Sequence, residues 1–527
     1  MSTPSESPPG RSNFVRAFLG SALGTGLSRV LGALRDVVIA SFLGASLASD
    51  AFWIAFLIPN LFRRFVADEG LTGALIPALA KAETEEGDAA MRELASSTLG
   101  VLVVLNLVLC GIGILFPEPL VLLAAWSWGD DPEKMQLAAT MTRWLIPFTF
   151  MVSLVSYFEG LLNHRGHFFA PKLAPGLVSA GMVAAVLFLG DAFEEPVYAL
   201  VAGVLGGGIA HILVNVPPLI SRWGRVGISL RVTPRLRAVL RELGKVVLIG
   251  IFAQLNILVL RQIASFVGEG SITYYHSGTR ITDLAQGIVA VAIGSALLPN
   301  LAGSVATGSW DRFRSDLTGG LRLAMFLLVP VAVALFVWAE PITAILFRVG
   351  KYTWADVQIT AATVRYFVPF LLAVAAINII KRVYHALDDR TTLLVVGAIG
   401  VALTGGLGVL FVADHGVPGL ALGLSIATAL QLLAYLVVLR VKLGSRIGLG
   451  DLPGPLLRIT IASLPIAPVL RFLQPYGRWT EGPLAWENWA VLVGGTVLGG
   501  LVYFGLASLL RLPEVSRLTG AVFRRVR

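Results

Sequence analysis

Apolar residues along this chain form long runs that are separated by short polar segments. An α-helix needs about 20 predominantly apolar residues to cross the hydrocarbon core of a bilayer. Fourteen runs of this kind can be counted, so the pattern predicts an all-α polytopic membrane protein with 14 transmembrane helices. The predicted spans are residues 14–42, 50–80, 92–116, 137–162, 169–190, 197–220, 240–265, 271–302, 318–339, 358–383, 392–413, 418–441, 455–474 and 486–511.

The composition agrees with a membrane protein. Of the 527 residues, 56% are hydrophobic and only 14% are charged, and the mean hydropathy is +0.79. A soluble globular protein of this length does not need so much apolar surface. The single cysteine, Cys110, excludes an intrachain disulfide. The net charge of +9 is better explained by lysine and arginine in the cytoplasmic loops of a membrane protein than by nucleic-acid binding. No nucleic-acid partner is therefore expected.

Positive charges lie in alternate loops. Lysine and arginine concentrate after even-numbered predicted helices, as in residues 222–241 and 440–446, whereas the loops after odd-numbered helices are short or acidic. Loops rich in lysine and arginine remain on the cytoplasmic side of a membrane. We therefore expect both termini and all even-numbered loops to be cytoplasmic.

Two short sequences recur at one spacing. Residues 39–44 (IASFLG) recur at 263–268 (IASFVG), an offset of 224, and the segments 162–166 and 386–390 lie at the same offset. We interpret this as two homologous six-helix lobes with the same orientation, the parallel repeat of rocking transporters. The predicted divisions are a disordered tail (1–13), an N-lobe (14–221), a basic linker (222–237), a C-lobe (238–442), an extra helix pair (443–511) and a basic tail (512–527).

The first two predicted spans carry charges among their apolar residues. A charge at the centre of a spanning helix costs about 2.5–3.5 kcal/mol even on the most lenient scale, so it normally faces a partner or a watery cavity. Arg29 and Asp36 are seven residues apart and share a helix face, so they could form a pair. An excess of arginine remains, and guanidinium groups bind phosphate bidentately. The charges in question are Arg29, Arg35, Asp36, Asp50, Arg63 and Arg64, of which the last two could also lie at a membrane interface.

Polar residues also interrupt the seventh and eighth spans. Gln254 and Asn256 lie in mid-membrane, where amides either bond neighbouring helices or bind an ion. Arg280 and Asp283 are one helical turn apart and could pair with each other. The functional alternative is that Arg280 faces the same cavity as the arginines of the first lobe.

The sequence contains no convincing catalytic or metal site. His164 and His167 have a metal-like spacing, but they lie in a basic loop without a nearby acid or thiol in sequence. Asp388 and Asp389 could bind a metal, although capping of the following helix explains them better. No phosphate-binding loop, nucleophile elbow or zinc spacing occurs. A transporter is therefore expected, without catalytic residues, metal or cofactor.

Several motifs together resemble one family. Residues 28–32 (SRVLG), 35–36 (RD), 49–52 (SDAF) and 58–64 (IPNLFRR) are similar to the N-terminal signature of the MurJ (MviN) lipid II flippases. These flippases belong to the multidrug/oligosaccharidyl-lipid/polysaccharide exporter superfamily. The resemblance continues through residues 70–77, 160–163, 170–175, 280–299, 346–353 and 384–388, and so covers nearly the whole chain.

The resemblance implies two lobes around a central cavity and alternating access. Lipid II would move from the cytoplasmic to the outer leaflet of the bacterial inner membrane, and the extra helix pair would form a groove for its lipid tail. Partners would be lipid II, membrane lipids and the cell-wall synthesis machinery. In the family, the residues that match Arg29, Arg35, Arg63, Arg280 and Asp50 are implicated in cavity function. The full candidate set is Arg29, Arg35, Asp36, Asp50, Arg63, Arg64, Arg280 and Asp283, with Gln254 and Asn256 for ion binding or packing.

The chain also departs from the family pattern. Family members often carry an acid a few residues after the Gln-x-Asn sequence, and here Leu260 and Arg261 occupy that region. A sodium site is therefore not expected, and the driving force is either the membrane potential or another ion gradient. The alternatives are a flippase for another polyprenyl-linked glycan, a multidrug antiporter, a membrane enzyme that uses Asp388 and Asp389, and a scaffold without transport activity.

Overall fold

The computed structural model describes residues 11–63, 72–173, 175–293 and 297–516, and every regular element in these ranges is a helix. The first eleven helices are α1 (Arg11–Leu43), α2 (Leu47–Arg63), α3 (Thr72–Glu86), α4 (Asp88–Leu115), α5 (Pro117–Ala124), α6 (Pro132–Leu145), α7 (Pro147–His164), α8 (Phe169–Leu173), α9 (Pro175–Leu189), α10 (Val197–Trp223) and α11 (Pro234–Ser265). The others are α12 (Ser271–Ile293), α13 (Leu297–Ala306), α14 (Trp310–Val337), α15 (Ala339–Phe347), α16 (Trp354–Ala386), α17 (Arg390–His415), α18 (Val417–Leu443), α19 (Pro453–Ser463), α20 (Ile466–Leu473) and α21 (Trp486–Leu509).

The helices form two compact units. The first unit is Met1–Gln254 and the second is Leu255–Arg527, so the boundary lies within α11. The predicted tails fall largely on residues 1–10 and 517–527, which lie outside the described residues. The helix α1 begins at Arg11, slightly before the predicted start of the first span.

Many helices are suited to a membrane. Ten helical segments of the described chain are long and apolar enough to cross one, and each coincides with a predicted span. These segments are Asp88–Leu115, Pro132–His164, Phe169–Leu189, Val197–Trp223, Trp310–Val337, Trp354–Ala386, Arg390–His415, Val417–Leu443, Leu449–Tyr476 and Trp486–Leu509. The other four predicted spans fall on α1, on α2 with α3, on α11 and on α12 with α13, which the structure describes only in part. A helical protein with many membrane spans is confirmed, and the number of 14 stays a prediction.

Proline divides two of the predicted spans. The span 137–162 consists of α6 and α7, which meet at Pro147, and the span 455–474 consists of α19 and α20, separated at Pro465. Proline has no N–H to donate to the preceding turn, and its ring crowds the carbonyl four residues earlier. Each predicted span is present as one apolar segment, and its helix is interrupted locally at the proline.

The core of the first unit is built around α3, α4, α7 and α10. Trp223, at the end of α10, is 1% exposed, and its indole Nε1 donates to the carbonyl of Leu161 at 2.8 Å. Where α9 crosses α10, a Cβ on Gly207 would lie 2.6 Å from the Cα of Val178. Glycine is thus required at this crossing, as is usual where membrane helices approach closely.

In the second unit, α12 is held against α16. A Cβ on Gly278 would meet the Thr363 side chain at 3.1 Å. Near the start of α12, the Tyr274 hydroxyl donates to the Asp356 carboxylate at 2.6 Å. The same carboxylate closes a capping box with Thr353 at the beginning of α16. These contacts fix the position of α12, which carries Arg280.

The last helices, α19 to α21, pack on α14. The Trp338 indole donates to the carbonyl of Leu470 at 2.8 Å, and the Tyr503 hydroxyl donates to the carbonyl of Phe326 at 2.6 Å. Between α14, α20 and α21 is a cavity of about 290 Å³ with mostly apolar walls. Its lining includes Phe326, Pro330, Trp338, Leu470, Gly499 and Tyr503.

Candidate functional site

Arg35 and Asp36 form a buried ion pair in α1. Arg35 is 9% and Asp36 is 6% exposed. Both Nε and Nη2 of Arg35 donate to the same carboxylate oxygen, at 2.9 and 2.7 Å. The expected pairing of Asp36 with Arg29 was therefore wrong: Arg29 is exposed and makes no ion pair with the described residues. A guanidinium is long enough to bend back to an adjacent carboxylate, although neighbouring helical residues point in different directions.

The other charges of the first unit are only partly described. Asp50 lies in the first turn of α2, where the helix dipole favours a negative charge, and it is 2% exposed. Its backbone N–H donates to the carbonyl of Ser46 at 3.0 Å. Arg63 is the last residue of α2, but its side chain and the whole of Arg64 lie outside the described residues.

Arg280 is the candidate that the second unit contributes. Its Nε donates to Nε2 of His276 at 3.4 Å. Its Nη1 lies 3.8 Å from the carboxylate of Asp283, with 37% and 57% of the two side chains exposed. The predicted pair is thus present, but an exposed pair at this separation contributes at most about 1 kcal/mol. Asp283 does not neutralise Arg280 as fully as Asp36 neutralises Arg35.

Sequence reasoning missed two residues beside Arg280. Arg261, on α11, is 6% exposed, and its Nη1 donates to the carbonyl of Ile272 at 3.2 Å. Its Nη2 lies 3.2 Å from Nδ1 of His276, and its Cζ lies 5.8 Å from the centre of the Tyr275 ring. The available signal was the spacing of four between His276 and Arg280, which places both on one helix face.

Gln254 and Asn256 lie on either side of the boundary between the two units. Both are half-buried on α11. The side-chain oxygen of Asn256 is buried without a hydrogen-bond partner among the described residues. This oxygen can accept a hydrogen bond from a ligand or bind an ion. Whether Gln254 and Asn256 serve helix packing or ion binding is not tested, so both roles stay predictions.

The two aspartates of the predicted capping turn have separate roles. Asp389 caps α17, because its carboxylate accepts from the backbone N–H of Thr392 at 3.2 Å. Burial alone would raise the pKa of Asp389, but hydrogen bonds from Lys442 and Thr392 lower it below the usual value. Asp388 has a left-handed backbone with φ of 51°, and its side chain is 83% exposed. The capping interpretation is confirmed for Asp389.

His164 does have an acid beside it in the fold. Its Nε2 lies 2.8 Å from a carboxylate oxygen of Glu83, whose other oxygen accepts from Arg165 at 2.9 Å. The expectation that His164 has no acid nearby was therefore wrong. Glu83 is distant in sequence and meets His164 only in the fold. Burial lowers the pKa of His167, and the Arg222 guanidinium lowers it further. Within the described ranges, no group of three or more His, Cys, Asp or Glu residues is placed to hold a metal.

Comparison with known proteins identifies the family. The family model described as "Lipid II flippase MurJ" matches residues 39–470. The chain belongs to the MurJ family. The lipid II flippase MurJ of Burkholderia cenocepacia is 31% identical over 508 residues, covering 94% of this chain and 97% of the relative. The probable lipid II flippase MurJ of Bdellovibrio bacteriovorus is also 31% identical, covering 95% of each chain.

Solved structures agree with the MurJ family fold. A lipid II flippase MurJ in an inward closed conformation superposes with a TM-score of 0.78 at 22% identity, covering 93% of this chain and 98% of that one. An inward-facing multidrug transporter of the MATE family gives a TM-score of 0.68 at 16% identity, covering 80% and 96%. As a MurJ family member, the protein is a transporter and not an enzyme, so Asp388 and Asp389 are not catalytic metal ligands.

Proposed function

We propose that this protein is a flippase that moves lipid II from the cytoplasmic to the outer leaflet of the bacterial inner membrane by alternating access. The observation that carries this proposal is the match to MurJ relatives over nearly the full length of both chains. The arginine-rich apolar helices support the same substrate, because lipid II carries a diphosphate between its lipid tail and its sugars. Arginine binds phosphate oxygens in a bidentate fashion.

In the proposed mechanism, Arg29, Arg35, Arg63 and Arg280 bind the diphosphate within a cavity between two lobes. Burial of an ionic headgroup in a membrane is costly unless the charge is paired. The arginines would supply that pairing while the lobes rock. Asp50 and Asp36 would hold the first-unit arginines in place when no substrate is bound.

The remaining features of the proposal concern topology and energy. We propose 14 spans, cytoplasmic termini and two six-helix lobes, supported by the alternation of basic loops and by the internal repeat. The mostly apolar cavity between α14, α20 and α21 is a suitable place for part of the lipid tail. No cofactor is involved, and the membrane potential or an ion gradient drives transport. Membrane lipids and cell-wall synthesis proteins are the further partners.

Rescue of a bacterium depleted of its own lipid II flippase tests the proposal. The readout is outer-leaflet lipid II, measured for the unaltered protein and for Arg29→Ala, Arg35→Ala and Arg280→Ala. The matched control is Arg390→Ala, which removes an arginine that is 75% exposed outside the predicted spans. We expect the unaltered protein and the control to restore outward lipid II, and the three variants to fail at equal expression.

Two outcomes would contradict the proposal. Failure of the well-expressed unaltered protein would reject lipid II as the substrate, in favour of another polyprenyl-linked glycan. Full rescue by all three variants would reject the role of the arginines while leaving the flippase assignment intact.

A further inference from the structure

We propose that the segment between α10 and α11 binds a negatively charged phospholipid at the surface of the membrane. This segment, residues 224–233, is called the strap; it has no helix and carries apolar side chains between arginines. It lies wholly within the first unit. The inference goes beyond the proposed function, because it concerns a lipid that is bound and not transported.

Both ends of the strap are held by the core of the first unit. Trp223, which precedes the strap, belongs to the same buried apolar cluster as Leu236 and Val239 in the first turns of α11. Arg235, also at the start of α11, forms an ion pair with Glu86 of α3. The strap therefore follows a defined course, although it is not part of a helix.

The middle of the strap is pressed against the backbone of α4. The backbone N–H of Ser229 donates to the carbonyl of Ser96 at 3.1 Å. A Cβ on Gly100 would lie 2.0 Å from the carbonyl oxygen of Ser229 and 3.3 Å from Cδ2 of Leu230. Only glycine allows the backbone of the strap to approach α4 so closely.

This contact is on a face of α4 that points to lipid. Residues four apart share a helix face, so Val104 and Val108 continue the line that begins with Ser96 and Gly100. Val104 and Val108 are 47% and 53% exposed, which suits side chains that face acyl chains. At 1.5 Å per residue, Ser96 and Gly100 lie about 6 and 12 Å beyond residue 92, the predicted start of the span. The strap is therefore at the level where headgroups meet acyl chains.

The strap presents both apolar and basic groups at this level. Ile228, Leu230 and Val232 are 66%, 65% and 52% exposed, and such side chains are stabilised when acyl chains cover them. Around them are arginines that are exposed and form no ion pair within the described part of the chain, namely Arg225, Arg231, Arg237 and Arg241.

A negatively charged phospholipid matches both kinds of group. Its acyl chains cover the apolar side chains, and its phosphate accepts hydrogen bonds from guanidinium groups. Clusters of about four to eight basic residues beside a transmembrane helix are typical of anionic lipid binding, and each contributes about fivefold to affinity. A zwitterionic phospholipid has the same acyl chains but no net charge. An acidic protein would match the arginines but not the three apolar side chains at this depth.

Quenching of a fluorophore on the strap by brominated lipids tests the proposal. The fluorophore is attached at Gly227→Cys, where a Cβ would make an ordinary contact with Oγ of Ser96 at 3.8 Å. Protein without this substitution measures any labelling of the buried Cys110. The full-length protein in detergent is titrated with brominated phosphatidylglycerol, which is anionic, and with brominated phosphatidylcholine, which is zwitterionic. We expect the midpoint of quenching at a concentration roughly tenfold lower for phosphatidylglycerol.

Removing charge from the strap should affect only the anionic lipid. Arg231→Gln together with Arg237→Gln should raise the midpoint for phosphatidylglycerol roughly twentyfold, and that for phosphatidylcholine less than about twofold. The matched control removes two exposed arginines of the second unit, Arg312→Gln with Arg440→Gln. It should leave both midpoints within about twofold of the unaltered values.

A second pair of variants changes the seating of the strap on α4 without changing any charge. Gly100→Ala places a methyl group against the carbonyl of Ser229, so the strap must move away and the midpoints for both lipids should rise. Gly111→Ala, on the same helix, meets no atom within 4 Å and should change neither midpoint. Should Gly100→Ala not fold, Ile228→Ser with Val232→Ser replaces it, because both positions are exposed.

The outcomes decide between the possible ligands. Equal midpoints for the two lipids would overturn the proposal and favour an acidic protein as the partner of the arginines. A rise in the control variant as large as in the strap variant would also overturn it, because the attraction would then depend only on net charge. Competition by glycerol 1-phosphate as strong as by phosphatidylglycerol would show a site for free phosphate instead. Lipid II is absent from every titration, so failure of outward transport would reject the proposed function alone.

Discussion

The two units each place arginine in an apolar helix, but they treat its charge differently. In the first unit, Arg35 donates twice to the adjacent carboxylate of Asp36, and both side chains are buried. In the second unit, Arg261 and Arg280 flank a histidine, and Nη1 of Arg280 lies 3.8 Å from the carboxylate of Asp283. At the repeat offset of 224, the counterpart of Asp36 is Leu260.

The two units therefore hold their arginines by different contacts. A close pair in a medium of low dielectric constant is nearly neutral, and removing only one of its two partners is costly. In the second unit, two guanidinium groups instead lie on either side of one imidazole. We infer that Asp36 chiefly compensates the buried charge of Arg35, whereas neither Arg261 nor Arg280 has a carboxylate next to it in sequence. The following predictions test that division.

The largest effect is expected from removing Asp36 alone. Asp36→Ala leaves the buried Arg35 without its carboxylate, which should lower the free energy of unfolding by about 3–5 kcal/mol. Replacing both residues with Arg35→Met and Asp36→Leu should recover most of that loss, because no buried charge remains. Thermal unfolding in detergent measures both effects. A double variant that is as unstable as Asp36→Ala would show that the loss does not come from an uncompensated charge on Arg35.

An acid introduced into the second unit should convert its cluster toward the type of the first. Leu260→Asp places a carboxylate next to Arg261, at a position that is 2% exposed. Its negative charge should weaken binding of lipid II on the order of tenfold, by repelling the diphosphate. The neutral Leu260→Asn is the control. Equal affinities for the two variants would contradict an electrostatic role of the cluster.

The smallest effects are expected for charges outside the predicted spans. Asp389→Ala removes the cap of α17 and should lower the free energy of unfolding by about 1 kcal/mol, whereas Asp388→Asn, at an exposed position where asparagine tolerates the left-handed backbone, should change it much less. Because the pKa of Asp389 is below the usual value, its contribution is present above the pKa of an unfolded aspartate. It is lost as the pH falls through the lower pKa of the folded state.

Unfolding measured from pH 7 down to pH 3 tests the effect of Asp389. The stability difference between the unaltered protein and Asp389→Ala should shrink toward the acid end. A difference that is constant over this range would show that the charged state of Asp389 does not contribute.

The sequence predicted the membrane helices well, because a span of about 20 apolar residues leaves few alternatives. Proline positions were visible in the sequence, but a proline does not show by itself whether the helix continues, so the local interruptions at Pro147 and Pro465 were not predicted. Capping by Asp389 was predictable because it depends on residues within one turn.

The pairings of charged residues were harder to predict. Helical geometry places Arg29 and Asp36 on one face. The side chain of Arg35 nevertheless bends back along the helix and forms the ion pair with Asp36. Glu83 and His164 meet only after folding, since they are distant in sequence. The contact of Arg261 with His276 likewise joins two helices, and helical periodicity contains no information about it.

The ion pair between Arg322 and Glu514 has a consequence for how the protein is made. Arg322 lies on α14, and its Nη2 is 2.7 Å from a carboxylate oxygen of Glu514, which follows α21 and is almost fully buried. Glu514 is synthesised about 190 residues after Arg322, roughly 10–40 seconds later at ribosomal rates. During this interval the arginine must keep water or lipid headgroups as temporary partners. The ion pair between α14 and the segment after α21 therefore forms late in synthesis, and a chain that is truncated before Glu514 would leave Arg322 without this carboxylate.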